Sequence, residues 1–588
     1  MVKEREEIEQ QYKWDLTEIF ESEEEWREKR SQVEEELDEI EEYKGQLTNS
    51  AQTLLNGLKA KDNLMRDISN LAAYARMKTH EDMSDQKAQE LKSKADSLQS
   101  QAASKVGFYQ PEIKKLSREQ FESYIEEEEE LEEYRHYIRN ILRLHNHILD
   151  TETESMLNDL GEILSTPQET YSMLTNADLT FPTVEREGEE VQITNANFTK
   201  LLKDEDRDFR KEVYNGFYER IGQFRNSITT MLDKEIRKNV KMSRIRNYDT
   251  ARKASLKQDN IPISVYDNLV DTVEDNLDVL HRHLELKKQV QDLDELEMHD
   301  IYMPITEKEQ PEIEYEEAKQ HVLEALQPLG EEYVDKAEEF LENRWIDVYE
   351  NKGKRSGAYS GGTYDTPSYI LLNYQEDVNS MYTLAHELGH SLHSELANQE
   401  QGYLDSQYKI FVAEIASTLN EILLTRHLLE KGKYKEHALD YVLEGFRNTL
   451  FRQTLFADFE RQTHERVENG DPLTADILGE MYGEKKKEYY KPVQMDEEIK
   501  KEWMRIPHFY YDFYVFQYST GLSAAHAIID EVIEEGNAED YLDMLRKGGS
   551  DYPLEVLEDL GVDMRKPEAV EKAIERYERR VEAMEEAI

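Results

Sequence analysis

Apolar residues recur at intervals of three and four along most of this chain, which is the period of an amphipathic α-helix. The N-terminal part, to about Leu149, predicts long helices with short breaks at Lys44-Gly45 and at residues 108–111. Helical periodicity returns after about residue 198 and continues through most of the remaining chain. The pattern therefore predicts a mostly helical protein.

Two stretches depart from the helical period. Residues 179–184 and 191–194 flank the turn Glu187-Gly188 and predict a hairpin. We place a domain boundary after it, which divides the chain into an N-terminal helical lobe, 1–198, and a second domain, 199–588. Between residues 345 and 374, two β-rich pieces surround a glycine-rich turn and predict one small sheet.

One helix in the second domain carries polar residues with a recognisable chemistry. Residues 386–390 read HELGH, so that His386 and His390 project from the same helical face and can converge on one zinc ion. Glu387 is placed to take a proton from a metal-bound water rather than to bind the metal. The alternative is a core helix in which all three polar side chains have hydrogen-bond partners. The same stretch has an apolar stripe formed by Met381, Leu384, Ala385, Leu388, Leu392 and Leu396.

A catalytic zinc ion needs a third protein ligand and an open position for water. The next helical pattern, residues 409–431, carries Glu414 and Glu421 on one face among apolar neighbours. Glu414 as the ligand, with Glu421 holding a ligating imidazole, would explain both carboxylates. Spacing alone leaves Glu414, Glu395, Glu400 and Glu421 open as the third ligand.

Two further segments have candidate functional residues. Residues 508–518 read HFYYDFYVFQY, and a histidine and tyrosine hydroxyls are suitable donors to a developing oxyanion, although an aromatic stripe is more often core. The glycine-rich segment around Gly357 could place an extended edge beside the metal helix, where it would bind a peptide backbone as an added strand. An ordinary hairpin loop explains the same glycines equally well.

Charge and composition exclude several classes of partner. Lys plus Arg is 73 and Asp plus Glu is 128, a net charge of −55, which is too negative for non-specific binding to nucleic acid or to an anionic membrane. The chain has no cysteine, which leaves His and Glu as the natural metal ligands. The charged first ten residues argue against a signal peptide, so we expect a cytoplasmic protein. The dispersed carboxylates suggest a saline host, in which salt relieves self-repulsion.

The motifs together resemble the thimet-oligopeptidase family of zinc metallopeptidases, and specifically its bacterial oligoendopeptidase F branch. The HELGHSLH string at residues 386–393 and FVAEIAS at 411–417 are similar to that branch. Further similarity lies in YKWDLT at 12–17, DNIP at 259–262, GAYS at 357–360, YILLNY at 369–374 and the tyrosine-rich C-terminal segment. The resemblance thus spans nearly the whole chain.

The resemblance implies roles for particular residues. Glu414 becomes the third zinc ligand, and residues 199–588 become the catalytic metallopeptidase domain. His508, Tyr511 and Tyr518, together with Tyr514, would face the zinc across a cleft. His508 and Tyr511 are closer in sequence than in the thimet branch, so the tyrosine assignment stays open by one helical turn. Substrate binding falls to the segment Gly357, Ala358 and Tyr359.

The resemblance also implies a fold and an activity. The fold would be a two-lobed helical metallopeptidase with a deep central channel and one small sheet beside the zinc helix. The activity would be hydrolysis of internal bonds in short unfolded oligopeptides, with one Zn2+ per chain and a Glu general base. We expect a monomer or small homo-oligomer. A metallo-carboxypeptidase on a related helical scaffold and a non-catalytic peptide-binding protein remain as alternatives.

Overall fold

The computed structural model describes residues 2–306, 309–533 and 536–588, and most of them are helical, as predicted. In chain order the α-helices are α1 (Glu23–Glu39), α2 (Ala51–Glu81), α3 (Gln86–Lys105), α4 (Tyr109–Ile113), α5 (Arg118–Glu127), α6 (Arg135–Arg143), α7 (Thr151–Asp159), α8 (Gly161–Leu164), α9 (Thr166–Met173), α10 (Phe198–Leu201), α11 (Arg207–Gly222), α12 (Arg225–Ile245), α13 (Ala251–Gln258), α14 (Ile263–Asp275), α15 (Leu277–Val290), α16 (Tyr315–Leu326), α17 (Glu331–Glu342), α18 (Val378–Glu400), α19 (Ile410–Lys431), α20 (Lys435–Gly445), α21 (Arg452–Glu468), α22 (Ala475–Tyr489), α23 (Phe516–Ile533), α24 (Ala538–Arg546), α25 (Pro553–Glu558) and α26 (Glu568–Ala587).

The strands are short and form three small sheets. They are β1 (Thr183–Arg186), β2 (Glu189–Gln192), β3 (Leu296–Glu297), β4 (Ile346–Asp347), β5 (Tyr359–Gly361), β6 (Tyr369–Leu371) and β7 (Val493–Gln494). Strands β1 and β2 form the predicted antiparallel hairpin, and β3 pairs with β7 in parallel. The third sheet has the order β4-β6-β5, so β5 is an edge strand, paired antiparallel to β6 with Ser360 opposite Ile370.

The chain divides into two compact units, each assembled from three separate stretches. The first unit contains Met1–Asp159, Gln310–Lys433 and Ile528–Val562. The second contains Leu160–Glu309, Tyr434–Ala527 and Asp563–Ile588. The boundary predicted near residue 198 falls within the second unit, and as a domain boundary it stays a prediction.

The first unit has a core built mainly from the N-terminal helices. Trp26, Val33 and Leu37 of α1 are buried against α2, and the core extends to Tyr369 and Leu371 of β6. The predicted break at Lys44-Gly45 is present as a turn between α1 and α2. The second predicted break is shorter than expected, because α4 already begins at Tyr109.

Helix α18 is a core helix, as its apolar stripe predicted. Met381, Leu384, Leu388, Leu392 and Leu396 are all buried. Its first turn is capped by Asp377, whose carboxylate accepts from the backbone N–H of Ser380 at 2.7 Å. Within the described residues, no helix is both long enough and apolar enough to cross a bilayer.

Candidate metal centre

Helices α18 and α19 of the first unit approach each other closely at Gly389. A Cβ atom at this position would lie 2.6 Å from the carbonyl oxygen of Ala416 and 2.7 Å from the Cα atom of Ser417. Such distances cannot accommodate a side chain, so glycine is what allows the two backbones to touch. The contact brings the histidines of α18 beside Glu414 at the start of α19.

Three side chains converge at this helix pair. The Nε2 atoms of His386 and His390 are 3.2 Å apart, and each lies 3.6 Å from Oε2 of Glu414. These atoms form a group that could hold a metal ion. Ligands about 2.0–2.1 Å from a tetrahedral zinc would be separated from one another by roughly 3.3 Å, so the donor set fits zinc in both chemistry and spacing.

Glu421 fixes the orientation of the first histidine. Nδ1–H of His386 donates to Oε1 of Glu421 at 2.7 Å, which leaves Nε2 facing the other donors. Burial lowers the pKa of His386, but the hydrogen bond to Glu421 and the charges of Glu421, Glu414 and Glu387 outweigh it and raise the pKa to about 9. Burial and the charge of His386 lower the pKa of His390.

Glu387 is buried, with 8% of its surface exposed, on the side of α18 that faces the edge strand. Burial raises the pKa of Glu387, while the charge of His386 opposes this shift. Its carboxylate accepts the backbone N–H of Ser360 in β5. The hydroxyls of Ser360 and Ser391 are 2.9 Å apart and join the strand to the helix a second time. The carboxylate and the edge strand thus lie side by side. This arrangement suits the binding of a peptide backbone next to the candidate metal ligands.

The predicted substrate segment forms the approach to this strand. Gly357 has a φ of +84°, and its carbonyl oxygen accepts from the side-chain amide of Asn373 at 2.7 Å. Tyr359 begins β5, and its hydroxyl lies 2.8 Å from Nδ1 of His80. Ala358 joins the two. The segment thus leads into the edge strand β5, which lies beside α18.

The aromatic segment belongs to the second unit, where its predicted residues cluster. His508 lies in a short 3₁₀ helix, Pro507–Tyr510, and its ring centroid is 5.6 Å from those of Tyr511 and Tyr518 and 6.4 Å from that of Tyr514. Nε2 of His508 is 3.5 Å from the Tyr518 hydroxyl. Burial, helped by the charge of Arg452, lowers the pKa of His508, so the ring is neutral at neutral pH.

The loop between these tyrosines has an unusual backbone. Asp512 and Phe513 have φ values of 49° and 59°, a left-handed conformation that is costly for residues other than glycine. The backbone N–H of Phe513 donates to Oε1 of Glu460 at 2.8 Å, and the Ser255 hydroxyl donates to the carbonyl of Asp512 at 2.7 Å. Burial raises the pKa of Glu460 to about 8. Two distant side chains thus hold the loop in its strained shape.

Two models of known protein families match the sequence of this chain. The family model described as "Peptidase family M3" matches residues 200–576, and the family model described as "Oligopeptidase F" matches residues 112–181. This chain belongs to peptidase family M3. Among the relatives of this M3 peptidase, Oligopeptidase PepF of Bacillus subtilis is 42% identical over 99% of this chain and 88% of its own length.

Two further relatives match the M3 peptidase over nearly the full length of both chains. Group B oligopeptidase PepB of Streptococcus agalactiae is 38% identical over 99% of this chain and 98% of its own length. The crystal structure of oligoendopeptidase-F from Enterococcus faecium is 38% identical, with a TM-score of 0.76 over 96% of this chain and 99% of that chain. The predicted family, the metalloendopeptidase class and the mostly helical fold are confirmed.

Several residues of the M3 peptidase that shape the two clusters were not predicted. Gly389 had a signal in the sequence, because an isolated glycine within a helical pattern often marks close backbone approach. Ser360, Ser391, Ser255 and Glu460 had none. Each contacts a segment that is distant along the chain, and such contacts leave no periodic trace in one sequence.

Proposed function

We propose that this M3 peptidase is a zinc-dependent endopeptidase that hydrolyses internal bonds of short, unfolded oligopeptides. The observation that carries the proposal is the convergence of His386, His390 and Glu414 on one point, with donor spacings that fit zinc. The restriction to oligopeptides follows the names of the relatives, which are oligopeptidases and oligoendopeptidases. The enclosing deep channel, a cytoplasmic location and a monomer or small homo-oligomer stay predictions.

One zinc ion per chain would be held by His386, His390 and Glu414. Bound there, it would polarise the scissile carbonyl and lower the pKa of a water molecule. Glu387 would take a proton from the attacking water as it adds to the carbonyl carbon, and would deliver it to the nitrogen of the leaving amine as the C–N bond breaks. The backbone N–H of Ser360 holds the Glu387 carboxylate in position for both transfers.

The substrate backbone pairs with the free side of β5 as an added strand, next to Gly357, Ala358 and Tyr359. Backbone pairing reads little of the side chains, which suits an enzyme that accepts many peptides. We assign to His508 and to Tyr511, Tyr514 and Tyr518 the donation of hydrogen bonds to the oxyanion. The support for this assignment is their clustering, the neutral state of His508 and the family resemblance.

The test is a peptide of about eight residues that is acetylated at its N-terminus and amidated at its C-terminus. The zinc-loaded protein should cut it internally, and mass spectrometry of the fragments locates the cut. The Glu387→Gln variant should keep its fold and zinc but lose activity by at least about 100-fold, because the general base is removed. Glu400→Gln, an exposed change on the same helix, is the matched control.

Other results would indicate one of the alternative functions or reject the proposed general base. Trimming of a free C-terminus with no cut in the blocked peptide would indicate a carboxypeptidase. Binding of peptides with no cleavage by the zinc-loaded protein would indicate a non-catalytic peptide-binding protein. Near wild-type turnover by Glu387→Gln would reject the proposed base.

A further inference from the structure

A cavity of about 330 Å³ lies in the second unit against the aromatic segment. Pro507, Tyr510 and Tyr511 form one of its walls. The volume is at the lower end of the range for ligand pockets, roughly 300–1,000 Å³, so the cavity suits one small group rather than a length of peptide. Because Tyr511 is one of the proposed oxyanion donors, the cavity adjoins the assigned catalytic segment.

The cavity contains an arginine, Arg505, that has no anionic partner among the residues that the structure describes. The guanidinium of Arg505 lies 4.7 Å from the ring centroid of Phe198 and 4.9 Å from that of Phe217. Among the described residues it makes no ion pair or hydrogen bond. Two other arginines of the same unit differ, since Arg452 pairs with Glu502 and Arg210 with Asp300, both at 2.8 Å.

An unpaired arginine is unexpected in this chain. Acidic residues outnumber Lys and Arg by 128 to 73, so a carboxylate is near most cations. The described residues that line the cavity nevertheless include no Asp or Glu, and apart from Arg505 they are all neutral. Stacking on two aromatic rings holds the guanidinium plane but leaves its N–H groups free to donate.

The remaining lining residues supply further neutral polar groups. The side chains of Gln168, Ser172, Asn176 and Asn195 face the same space. The hydroxyl of Tyr510 is buried and has no hydrogen-bond partner in the part of the chain that the structure describes. A single fixed cation surrounded by neutral donors is the arrangement that binds an anion, because no protein carboxylate competes for it.

We propose that this cavity binds an anionic group of the peptide substrate, either its α-carboxylate or an acidic side chain, with Arg505 as the charge partner. The inference rests on the proposed peptidase function. Arginine matches the geometry of a carboxylate through two parallel N–H···O bonds. Such a site would also offset, at one point, the repulsion between an acidic peptide and a protein of net charge −55.

The experiment compares four peptides of one sequence, with a free or amidated C-terminus and with Glu or Gln as the neighbouring residue. For each anionic and neutral pair, kcat/KM gives a selectivity ratio. Arg505→Met should lower at least one of the two ratios by about tenfold, the loss expected for one charge-assisted hydrogen bond. Arg505→Lys should give an intermediate ratio. Arg186→Met is the matched control, since Arg186 stacks on Phe209 but pairs with Asp204.

The two comparisons, of free acid with amide and of Glu with Gln, identify which group of the peptide is the anion. A change in the free-acid to amide ratio assigns the cavity to the α-carboxylate, and a change in the Glu to Gln ratio assigns it to a side chain. Equal losses on all four peptides, with both ratios unchanged, would mean that Arg505 is only structural and would overturn the proposal.

Binding measured without turnover separates this inference from the proposed function. The Glu387→Gln variant and the double variant Glu387→Gln, Arg505→Met are titrated calorimetrically with the four peptides. The Kd for the preferred anionic peptide should be about tenfold weaker in the double variant. Equal Kd values would reject the role of Arg505 whether or not the wild-type protein hydrolyses peptides. Failure of the wild-type protein to cut any peptide would instead reject only the function.

Discussion

Glu421 illustrates how one side chain outside the proposed metal ligands can orient one of them. Its carboxylate accepts a hydrogen bond from Nδ1–H of His386 and so places Nε2 toward His390 and Glu414. The negative charge also makes the imidazole a stronger donor to a cation. The orientation of the His386 ring is therefore set by the hydrogen bond that Nδ1–H donates to Glu421.

We predict that Glu421→Gln weakens zinc binding by about 10- to 100-fold, the range typical of such outer partners. Glutamine keeps the shape and an acceptor oxygen but loses the charge. Competition with a chelator of known affinity measures the effect. Glu430→Gln, on the exposed end of the same helix, serves as control. An unchanged zinc Kd in Glu421→Gln would show that its charge has no role.

At the scale of residues, the sequence identifies candidates where the information is local. His386, Glu387 and His390 are recognised from one string of five residues, and the structure brings the histidines together. Glu414 is 24 positions further along the chain than His390, so spacing left it among four candidates. Only the resemblance selected it, and the structure then places it at the histidines.

Helix α18 shows why element geometry is harder to predict than element type. Its periodicity predicted a buried helix, and the apolar stripe is buried. The distance to α19 depends on Gly389, where one hydrogen in place of a methyl group decides whether Glu414 can reach the histidines. The edge position of β5 depends likewise on pairing with β6, which lies beyond a turn.

The strained loop of the aromatic segment is also an element-scale feature. Asp512 and Phe513 stay left-handed because Glu460 and Ser255 bond to their backbone. Burial raises the pKa of Glu460 to about 8, from a usual value of 4.5. The folded state therefore holds an extra proton between about pH 4.5 and 8, so stability falls as the pH rises through that window.

We predict that Glu460→Gln removes this dependence on pH. Glutamine is neutral at every pH, and its side-chain oxygen can still accept from Phe513. The melting temperature of the variant minus that of the wild type should rise between pH 5 and pH 9, with most of the change below pH 8. Glu465→Gln, an exposed change on the same helix, should show no such trend. A difference that is constant from pH 5 to pH 9 would contradict the buried, protonated state of Glu460.

For the whole molecule, the net charge of −55 is the dominant property that composition predicts. Carboxylates are dispersed over the chain, so they repel one another in the folded state. The screening length falls from about 10 Å at 0.1 M salt to about 3 Å at 1 M. Salt should therefore relieve the repulsion in general rather than at one site.

We predict that the unfolding temperature rises as KCl is increased from 0.05 M to 1 M. Sucrose at matched osmolality separates charge screening from general exclusion effects. A melting temperature that does not rise with KCl beyond the sucrose control would reject repulsion as a limit on stability, and with it the hypothesis of a saline host.

Domain organisation was the part of the whole molecule least accessible from sequence. The two compact units are each assembled from three separate stretches of chain. A local feature of the chain, such as the hairpin before residue 198, can indicate only where the chain changes character at that point. Which distant stretches join the same unit depends on contacts that helical periodicity does not encode.

The most direct test of the central claim is the zinc content of the purified protein, measured after removal of metal and reloading. We predict one zinc per wild-type chain, and loss of that zinc in both His390→Ala and Glu414→Ala while helical circular dichroism is retained. If Glu414→Ala bound one zinc as tightly as the wild type, the donor set proposed from α18 and α19 would be wrong.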